Sequence, residues 1–129
     1  MQILGHGIDV VSISRFRQTV ERQGDSFLQK IFSKQERSYC KKKQDPIPHY
    51  AVRFGAKEAY SKALGLGLGR VGEVQELAVV HDALGAPALE LCGRAKKVFT
   101  DKGGEKIFLS LAHDGDSAIA SVIIWGKQI

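Results

Sequence analysis

The spacing of apolar residues predicts one strand and then a helix at the start of the chain. The segment ILGHGIDVV is rich in apolar and β-branched residues, so we expect a strand that ends near Asp9. In the next segment, RFRQTVERQ, Phe16 and Val20 stand four residues apart, which is the spacing of one buried helix face. Ser12 or Ser14 precedes this helix and can cap its N-terminus.

Three more helices are predicted before the middle of the chain. SFLQKIF resumes helical spacing after a break at residues 24–25. The SKQE pattern at 33–36 matches a capping box and opens the basic segment RSYCKKK. Prolines 46 and 48 favour the first turn of a long helix, HYAVRFGAKEAYSKAL, and Gly65 suits its C-terminus in a left-handed conformation.

The second half of the chain has strand-like segments instead. VQELAVVHD, PALELC, KIFLSLAH and SAIASVIIW predict four strands, with a short helix over GRAKKVFTDKG between the second and third. HDGDS is typical of a hairpin turn, with Gly115 or Asp116 tolerating positive φ. Helices come first and antiparallel strands later, so we expect an α+β fold, with residues 1–129 forming one domain.

Composition adds limits on the class of protein. The 129 residues are 43% hydrophobic and 26% charged, which is ordinary for a globular chain. No segment approaches the roughly 20 apolar residues of a membrane span, and the N-terminus lacks the pattern of a signal peptide. Cys40 and Cys92 are isolated, so neither a zinc site nor a disulfide is expected. We therefore expect a cytoplasmic protein with no membrane partner.

The net charge of +5, from 19 Lys and Arg against 14 Asp and Glu, favours an acidic partner. Nucleic acid, an anionic lipid surface, a phosphorylated small molecule and an acidic protein all meet that description. Charge by itself does not choose among them.

The segment RFGAKEAYSKALG gathers charges on the long predicted helix. Glu58 and Lys62 are spaced as an exposed ion pair, which contributes only about 0.2–0.5 kcal/mol. Arg53 and Lys57 add positive charge one turn away, and a glycine-rich run follows, which favours a ligand site. That run, residues 67–72, matches G-x-G-x-x-G, but it follows a helix and leads to a strand, so it is not a dinucleotide fingerprint.

Asp9 is a second candidate because it is a carboxylate at the end of an apolar strand. Taken alone, capping of the next helix is the simpler interpretation. Together with Glu58 it can also hold Mg²⁺, which takes one or two protein carboxylates and completes its shell with phosphates and water. His113 ends a predicted strand beside a turn, and nothing in its spacing gives it a role.

Three segments, in this order and at these distances, resemble the holo-acyl-carrier-protein synthases: GIDVVSISRF, RFGAKEAYSKALG and SLAHDGDSAIASVI. The resemblance implies the 4′-phosphopantetheinyl transferase fold, with N-terminal helices packed on an antiparallel sheet, and homotrimers with sites between subunits. The implied reaction moves 4′-phosphopantetheine from coenzyme A to a serine of apo-acyl carrier protein. It depends on Mg²⁺ and leaves adenosine 3′,5′-bisphosphate.

The resemblance also implies roles for individual positions. The Mg²⁺ ligands match Asp9 and Glu58, and the lysine at the coenzyme A pyrophosphate matches Lys62, so these three are the expected catalytic residues. Positions of the nucleotide site match Arg53, Lys57, Ser61, Lys62, Gly65, Gly85, Pro87 and His113. The arginines that dock the acyl carrier protein match Arg15 and, less closely, Arg17 and Arg22.

The chain departs from the family pattern in a few places. SLAHD stands where the family often reads S-x-S-H-T, so two hydroxyls are lost and an acid is gained beside His113. Ala86 replaces a turn lysine. Gly55 replaces a usual alanine, at a cost of about 0.5–1 kcal/mol in helix preference with no evident benefit.

A basic nucleic-acid-binding module without catalysis is the main alternative to an enzyme. The isoelectric point near 9.3 and the CKKK segment favour it. No nucleic-acid motif is present, however, and aromatic residues do not alternate with basic ones on any predicted strand. We therefore expect no nucleic-acid partner.

Overall fold

The computed structural model describes all 129 residues, in five helices and five strands. In chain order these are β1 (Gln2–Ser12), α1 (Ile13–Gln23), α2 (Asp25–Ile31), α3 (Lys34–Lys41), α4 (Pro46–Leu64), β2 (Leu77–His81), β3 (Pro87–Leu91), α5 (Gly93–Asp101), β4 (Gly104–Asp114) and β5 (Ser117–Gly126). A short 3₁₀ turn, Val74–Glu76, precedes β2. The predicted α+β class is confirmed.

The three long strands form one antiparallel sheet in the order β1-β5-β4, and β2 pairs with β3 in a separate hairpin. β1 is longer than predicted, because its pairing with β5 continues to Ser12, opposite Ser117. Asp9 therefore lies within the ladder, opposite Ala120, and the expectation that the strand ends there was wrong.

Glycines on β1 allow helix α4 to lie directly on the sheet. A Cβ atom at Gly5 would overlap the carbonyl oxygen of Ala63, and one at Gly7 would overlap that of Ala59. The helix meets these glycines with its own small residues, which are buried against β5 side chains such as Val122. This close approach sets the separation between β1 and α4, and thus between the residues they carry.

The predicted helix ends are confirmed. Ser12 caps α1 by accepting from the Arg15 backbone N–H at 3.3 Å, and Ser33 with Glu36 forms the capping box of α3. Asp45 caps α4, and Gly65 follows that helix with φ of 76°. The hairpin turn between β4 and β5 places its positive φ at Gly115.

The face of the sheet opposite α4 carries apolar side chains that remain exposed. Ile3, Ile8 and Val10 of β1 and Phe108 of β4 are each more than half exposed. Ile3 and Phe108 lie with Ile123, Trp125 and Lys106 around one shallow depression. We call this surface the open sheet face.

Two further sequence expectations concern the cysteines and the membrane. Cys40 is buried and Cys92 is exposed, and both are free thiols. The helices include none with the length and apolarity that a membrane crossing requires.

Candidate active site

Asp9 of β1 and Glu58 of α4 come from separate elements and line one open cleft, whose third wall is helix α1. The side chain of Asp9 is only 16% exposed. The structure thus brings together the two carboxylates that the sequence analysis paired.

Lys62 joins this site through Asp9. Its Nζ donates to Oδ1 of Asp9 at 2.9 Å and to the carbonyl oxygen of Ile8 at 3.1 Å. Asp9 is the only ion-pair partner of Lys62, so the i,i+4 pair with Glu58 suggested by the spacing does not form. The ammonium group therefore bridges helix α4 to strand β1.

The electrostatics of the site act mainly on Glu58. Burial raises the pKa of its carboxyl group, the negative charge of Asp9 raises it further, and the positive charge of Lys62 opposes both effects. Two carboxylates that repel each other in a partly buried cleft form a site that a cation stabilises. Oxygen donors of this kind suit Mg²⁺, which also accepts phosphate and water oxygens.

Lys57 is not part of this cleft, although the resemblance put it in the nucleotide site. Its side chain is fully buried, and its Nζ donates to Oε1 of Glu36 at 2.8 Å and to the carbonyl oxygens of Val74 and Leu77. These three acceptors use all three N–H bonds of an ammonium group. Lys57 therefore ties α4 to α3 and to the start of β2, and no donor is left for a ligand.

Ser61 lies in the last turn of α4 and Gly65 directly follows the helix, in a different setting. The Ser61 hydroxyl is buried and donates to the Glu58 carbonyl oxygen at 2.8 Å, so it is occupied within its own helix. Gly65 is exposed at the helix end, with open space where a Cβ would lie.

Arg53 belongs to a cluster of basic and aromatic side chains that the sequence analysis did not find. Its guanidinium lies 4.4 Å from the centre of the Tyr39 ring, and the Nζ of Lys43 lies 4.6 Å from the same ring. The ring of His81 stacks on Tyr39 at 5.0 Å, and His49 meets it edge-on at 6.4 Å. We call these five residues the basic cluster.

Positive charges in the basic cluster are crowded. Burial lowers the pKa of both His49 and His81, and the charges of Arg53 and Lys43 lower it further. The Nε atom of Arg53 is buried without a hydrogen-bond partner. Such an arrangement favours an anion, because an anion relieves the repulsion and supplies hydrogen-bond acceptors.

The turn residues predicted for the nucleotide site adjoin this cluster. Pro87 pairs with His81 across the β2–β3 hairpin, and Gly85 stands in its turn with φ of 89°. Oδ1 of Asp82 holds that turn by accepting from two backbone N–H groups. His113, at the exposed end of β4, is close enough for its charge to lower the pKa of His49. Histidines 49 and 81, for which the sequence suggested no setting, both lie against Tyr39 in the basic cluster.

The three arginines of α1 differ in availability. Arg15 lines the cleft of Asp9 and Glu58, and neither Arg15 nor Arg22 has an ion-pair partner. Arg17 instead makes two hydrogen bonds to Asp45, at 2.6 and 3.2 Å, so its charge is already paired within the chain.

The start of α1 is fixed to the β4–β5 turn. The Asp116 carboxylate accepts from the hydroxyl groups of Ser12 and Ser14 and from the Ser14 backbone N–H, at 2.8 to 3.0 Å. The backbone N–H of Ile13 donates to the Asp116 carbonyl oxygen at 2.8 Å. The negative charge of Asp116 is thus satisfied internally, and these contacts lower the pKa of its carboxyl group.

Comparison with known proteins gives one consistent result. The 4′-phosphopantetheinyl transferase superfamily matches residues 5–121. A holo-[acyl-carrier-protein] synthase of Syntrophotalea carbinolica is 47% identical over 123 residues, which cover 95% of this chain and 96% of that protein. One of Treponema denticola is 45% identical over 125 residues, covering 96% and 99%.

Solved structures agree with these sequence matches. The holo-[acyl-carrier-protein] synthase of Neisseria meningitidis has a TM-score of 0.90 at 29% identity, covering 95% of this chain and 98% of its own. A synthase–coenzyme A complex from Chronobacterium ammoniagenes has a TM-score of 0.83 at 29% identity, covering 96% and 98%. On these matches, the chain belongs to the holo-[acyl-carrier-protein] synthases of the 4′-phosphopantetheinyl transferase superfamily.

Proposed function

We propose that this enzyme transfers 4′-phosphopantetheine from coenzyme A to a serine of apo-acyl carrier protein, with Mg²⁺ as cofactor and adenosine 3′,5′-bisphosphate as the other product. The observation that carries the proposal is the meeting of Asp9, Glu58 and Lys62 beside helix α1. Two carboxylates and one ammonium group match the needs of a metal-bound pyrophosphate, and the free Arg15 lies on the adjacent wall for an acidic partner.

In this scheme Asp9 and Glu58 hold the Mg²⁺, and Lys62 supports the pyrophosphate oxygens as a point charge. Bound Mg²⁺ supplies the positive charge that neutralises the pyrophosphate when the leaving group departs. The serine oxygen of the carrier protein attacks the phosphorus that bears the pantetheine arm. Because the walls of the cleft hold these groups before the reaction, little reorganisation is needed at the transition state.

The nucleotide end of coenzyme A is proposed to lie at the basic cluster, with Arg53, Gly85, Pro87 and His113 around it. A Bacillus anthracis synthase solved with "CoA (3',5'-ADP)" has a TM-score of 0.81 at 28% identity, covering 98% of this chain and 100% of its own. The crowding of positive charge around His49 and His81 supports a phosphate at this position. Ser61 and Gly65 then act through the backbone of the helix end, and Lys57 acts only by holding the walls in place.

The carrier protein is proposed to dock on α1. Acidic surfaces are attracted by the net charge of +5 and bind where cations are unpaired. Arg15 and Arg22 meet that condition, whereas Arg17 must first leave Asp45, so its contribution is expected to be smaller.

The open sheet face supports the homotrimer. Ile3, Ile8, Val10 and Phe108 expose apolar side chains on one sheet, and exposed apolar patches commonly mark protein–protein contacts. Other copies of the chain are the proposed cover. Native mass spectrometry of the wild-type protein and of Phe108→Glu tests this. A trimer that the substitution dissociates is expected, and a wild-type monomer contradicts it.

The deciding experiment is the intact mass of apo-acyl carrier protein after incubation with this enzyme, coenzyme A and Mg²⁺. A gain of one phosphopantetheine that a chelator abolishes is expected, and Glu58→Gln is expected to abolish it while the circular dichroism spectrum is unchanged. Full transfer by Glu58→Gln removes Glu58 from the metal site. A protein that modifies no carrier but binds RNA with steep salt dependence and no metal requirement is a nucleic-acid-binding module instead.

A further inference from the structure

We propose that Lys62 exchanges partners during loading of the enzyme. In the free enzyme it is paired with Asp9 and weakens metal binding; when coenzyme A arrives, Lys62 turns to the phosphates and frees the carboxylate. Metal and coenzyme A therefore bind cooperatively, with Lys62 carrying part of the coupling. This inference rests on the proposed metal and pyrophosphate sites.

The geometry of Lys62 supports a temporary contact. Its two hydrogen bonds go to Asp9 and to the Ile8 carbonyl oxygen, so one N–H of the ammonium group remains free. The Lys62 side chain is 55% exposed, whereas that of Asp9 is 16% exposed. The carboxylate is thus fixed in the wall of the cleft and the lysine reaches it from the solvent side, so the lysine is the partner that can leave.

The charges explain why the contact matters. Two carboxyl groups, those of Asp9 and Glu58, line the cleft, and the ammonium group of Lys62 is paired with the first of them. A divalent cation that enters the free enzyme finds only Glu58 without an ion-pair partner, and it must compete with the ammonium group of Lys62 for Asp9. The phosphates of coenzyme A give Lys62 an equivalent anionic partner. Lys62 can therefore leave Asp9 to the metal and still form an ion pair.

The size of the effect follows from the kind of ion pair. Pairs exposed to solvent contribute up to about 1 kcal/mol, which corresponds to about fivefold in a dissociation constant. Lys62→Met is therefore expected to bind metal about fivefold more tightly than the wild type when coenzyme A is absent. In the wild type, coenzyme A should tighten metal binding by a larger factor than in Lys62→Met. By reciprocity, metal should tighten coenzyme A binding by the same factor.

The experiment measures Mn²⁺ in place of Mg²⁺, by the electron paramagnetic resonance signal of the free ion, on the whole protein with and without coenzyme A. Lys62→Arg keeps the charge and is expected to behave like the wild type. Lys96→Met removes an exposed lysine on α5 that makes no ion pair, and it controls for net charge. Circular dichroism confirms that each variant is folded.

The outcomes separate this inference from the proposed function. Equal or undetectable Mn²⁺ binding by Lys62→Met and the wild type without coenzyme A overturns the exchange, as does an equal gain in Lys96→Met. If the wild type binds no Mn²⁺ even with coenzyme A, or Glu58→Gln binds it equally well, the metal site itself fails. The exchange is established if Lys62→Met, but neither Lys62→Arg nor Lys96→Met, binds Mn²⁺ more tightly than the wild type without coenzyme A, and if coenzyme A then raises its Mn²⁺ affinity by a smaller factor.

Discussion

The buried pair of Lys57 and Glu36 provides a sharp test of how this structure is held together. Lys57→Met keeps most of the side-chain volume but removes the ammonium group. The Glu36 carboxylate would then stay buried with two backbone N–H donors, from Ser33 and Val79, each at 3.0 Å. The carbonyl oxygens of Val74 and Leu77 would lose their shared donor.

The expected loss of stability is large. Removing one partner of a buried ion pair costs about 3–5 kcal/mol, because the remaining charge is left uncompensated. A protein of this size has a free energy of unfolding of about 5–15 kcal/mol, so the variant should still fold but lose much of its stability. With an unfolding entropy of about 2.1 cal/mol/K per residue over 129 residues, the melting temperature should fall by about 11–18 °C.

Urea unfolding at one fixed protein concentration measures this loss, and the double variant Lys57→Met/Glu36→Gln is its matched control. Removing both charges should recover at least about 1 kcal/mol relative to Lys57→Met alone. The reasoning is refuted if Lys57→Met unfolds within about 1 kcal/mol of the wild type. A raised KM for coenzyme A at unchanged stability would instead return Lys57 to the nucleotide site.

Three further predictions concern packing, docking and pH. Gly7→Ala should destabilise the protein by about 1–3 kcal/mol or more, because its Cβ would overlap helix α4. Gly67→Ala places its Cβ in open space and should change the stability little. Urea unfolding midpoints compare the two variants, and equal midpoints would contradict the packing argument. Arg15→Glu should raise the KM for carrier protein far more than that for coenzyme A, and equal effects in steady-state assays would exclude docking at α1. The pKa values of His49 and His81 lie below 6.5, so the unfolded chain takes up protons at a higher pH than the folded one, and stability should drop as pH falls below about 6.5. In the variant with both histidines replaced by Gln, the urea midpoint should therefore drop less between pH 7.5 and 5.5. An equal drop in the variant and the wild type would contradict this prediction.

Local signals in the sequence predicted the helix ends well. The cap at Ser12, the capping box at Ser33 and the left-handed Gly65 depend on residues close in the chain, so the sequence contains all that determines them. The extent of β1 depends on β5, more than 100 residues away, and its length was accordingly predicted too short. Gly5 and Gly7 looked like ordinary strand residues because the helix they accommodate lies far along the chain.

The site was predictable in part. Asp9 and Glu58 were paired on the chemistry of two carboxylates and on the resemblance, and the structure places them in one cleft. Lys57 shows the limit of that approach. It precedes Glu58 by one residue, so on a helix it points about 100° away, into the core. Its partner Glu36 was recognised only as a capping-box residue, and the same carboxylate also binds Lys57 and the Val79 backbone N–H.

Gly55 is a residue whose cost is visible in the sequence and whose benefit appears only in the structure. Its helix cost had no evident benefit in the sequence, since alanine is the better helix former. In the structure a Cβ at this position would lie 3.3 Å from Cγ2 of Val11 and 3.9 Å from Oδ2 of Asp9. An alanine there would require Val11 to shift by a few tenths of an ångström, on the strand that carries Asp9. Together with Gly5 and Gly7, Gly55 lets β1 lie close to α4, so a local loss of helix preference accompanies the close placement of Asp9 and Glu58.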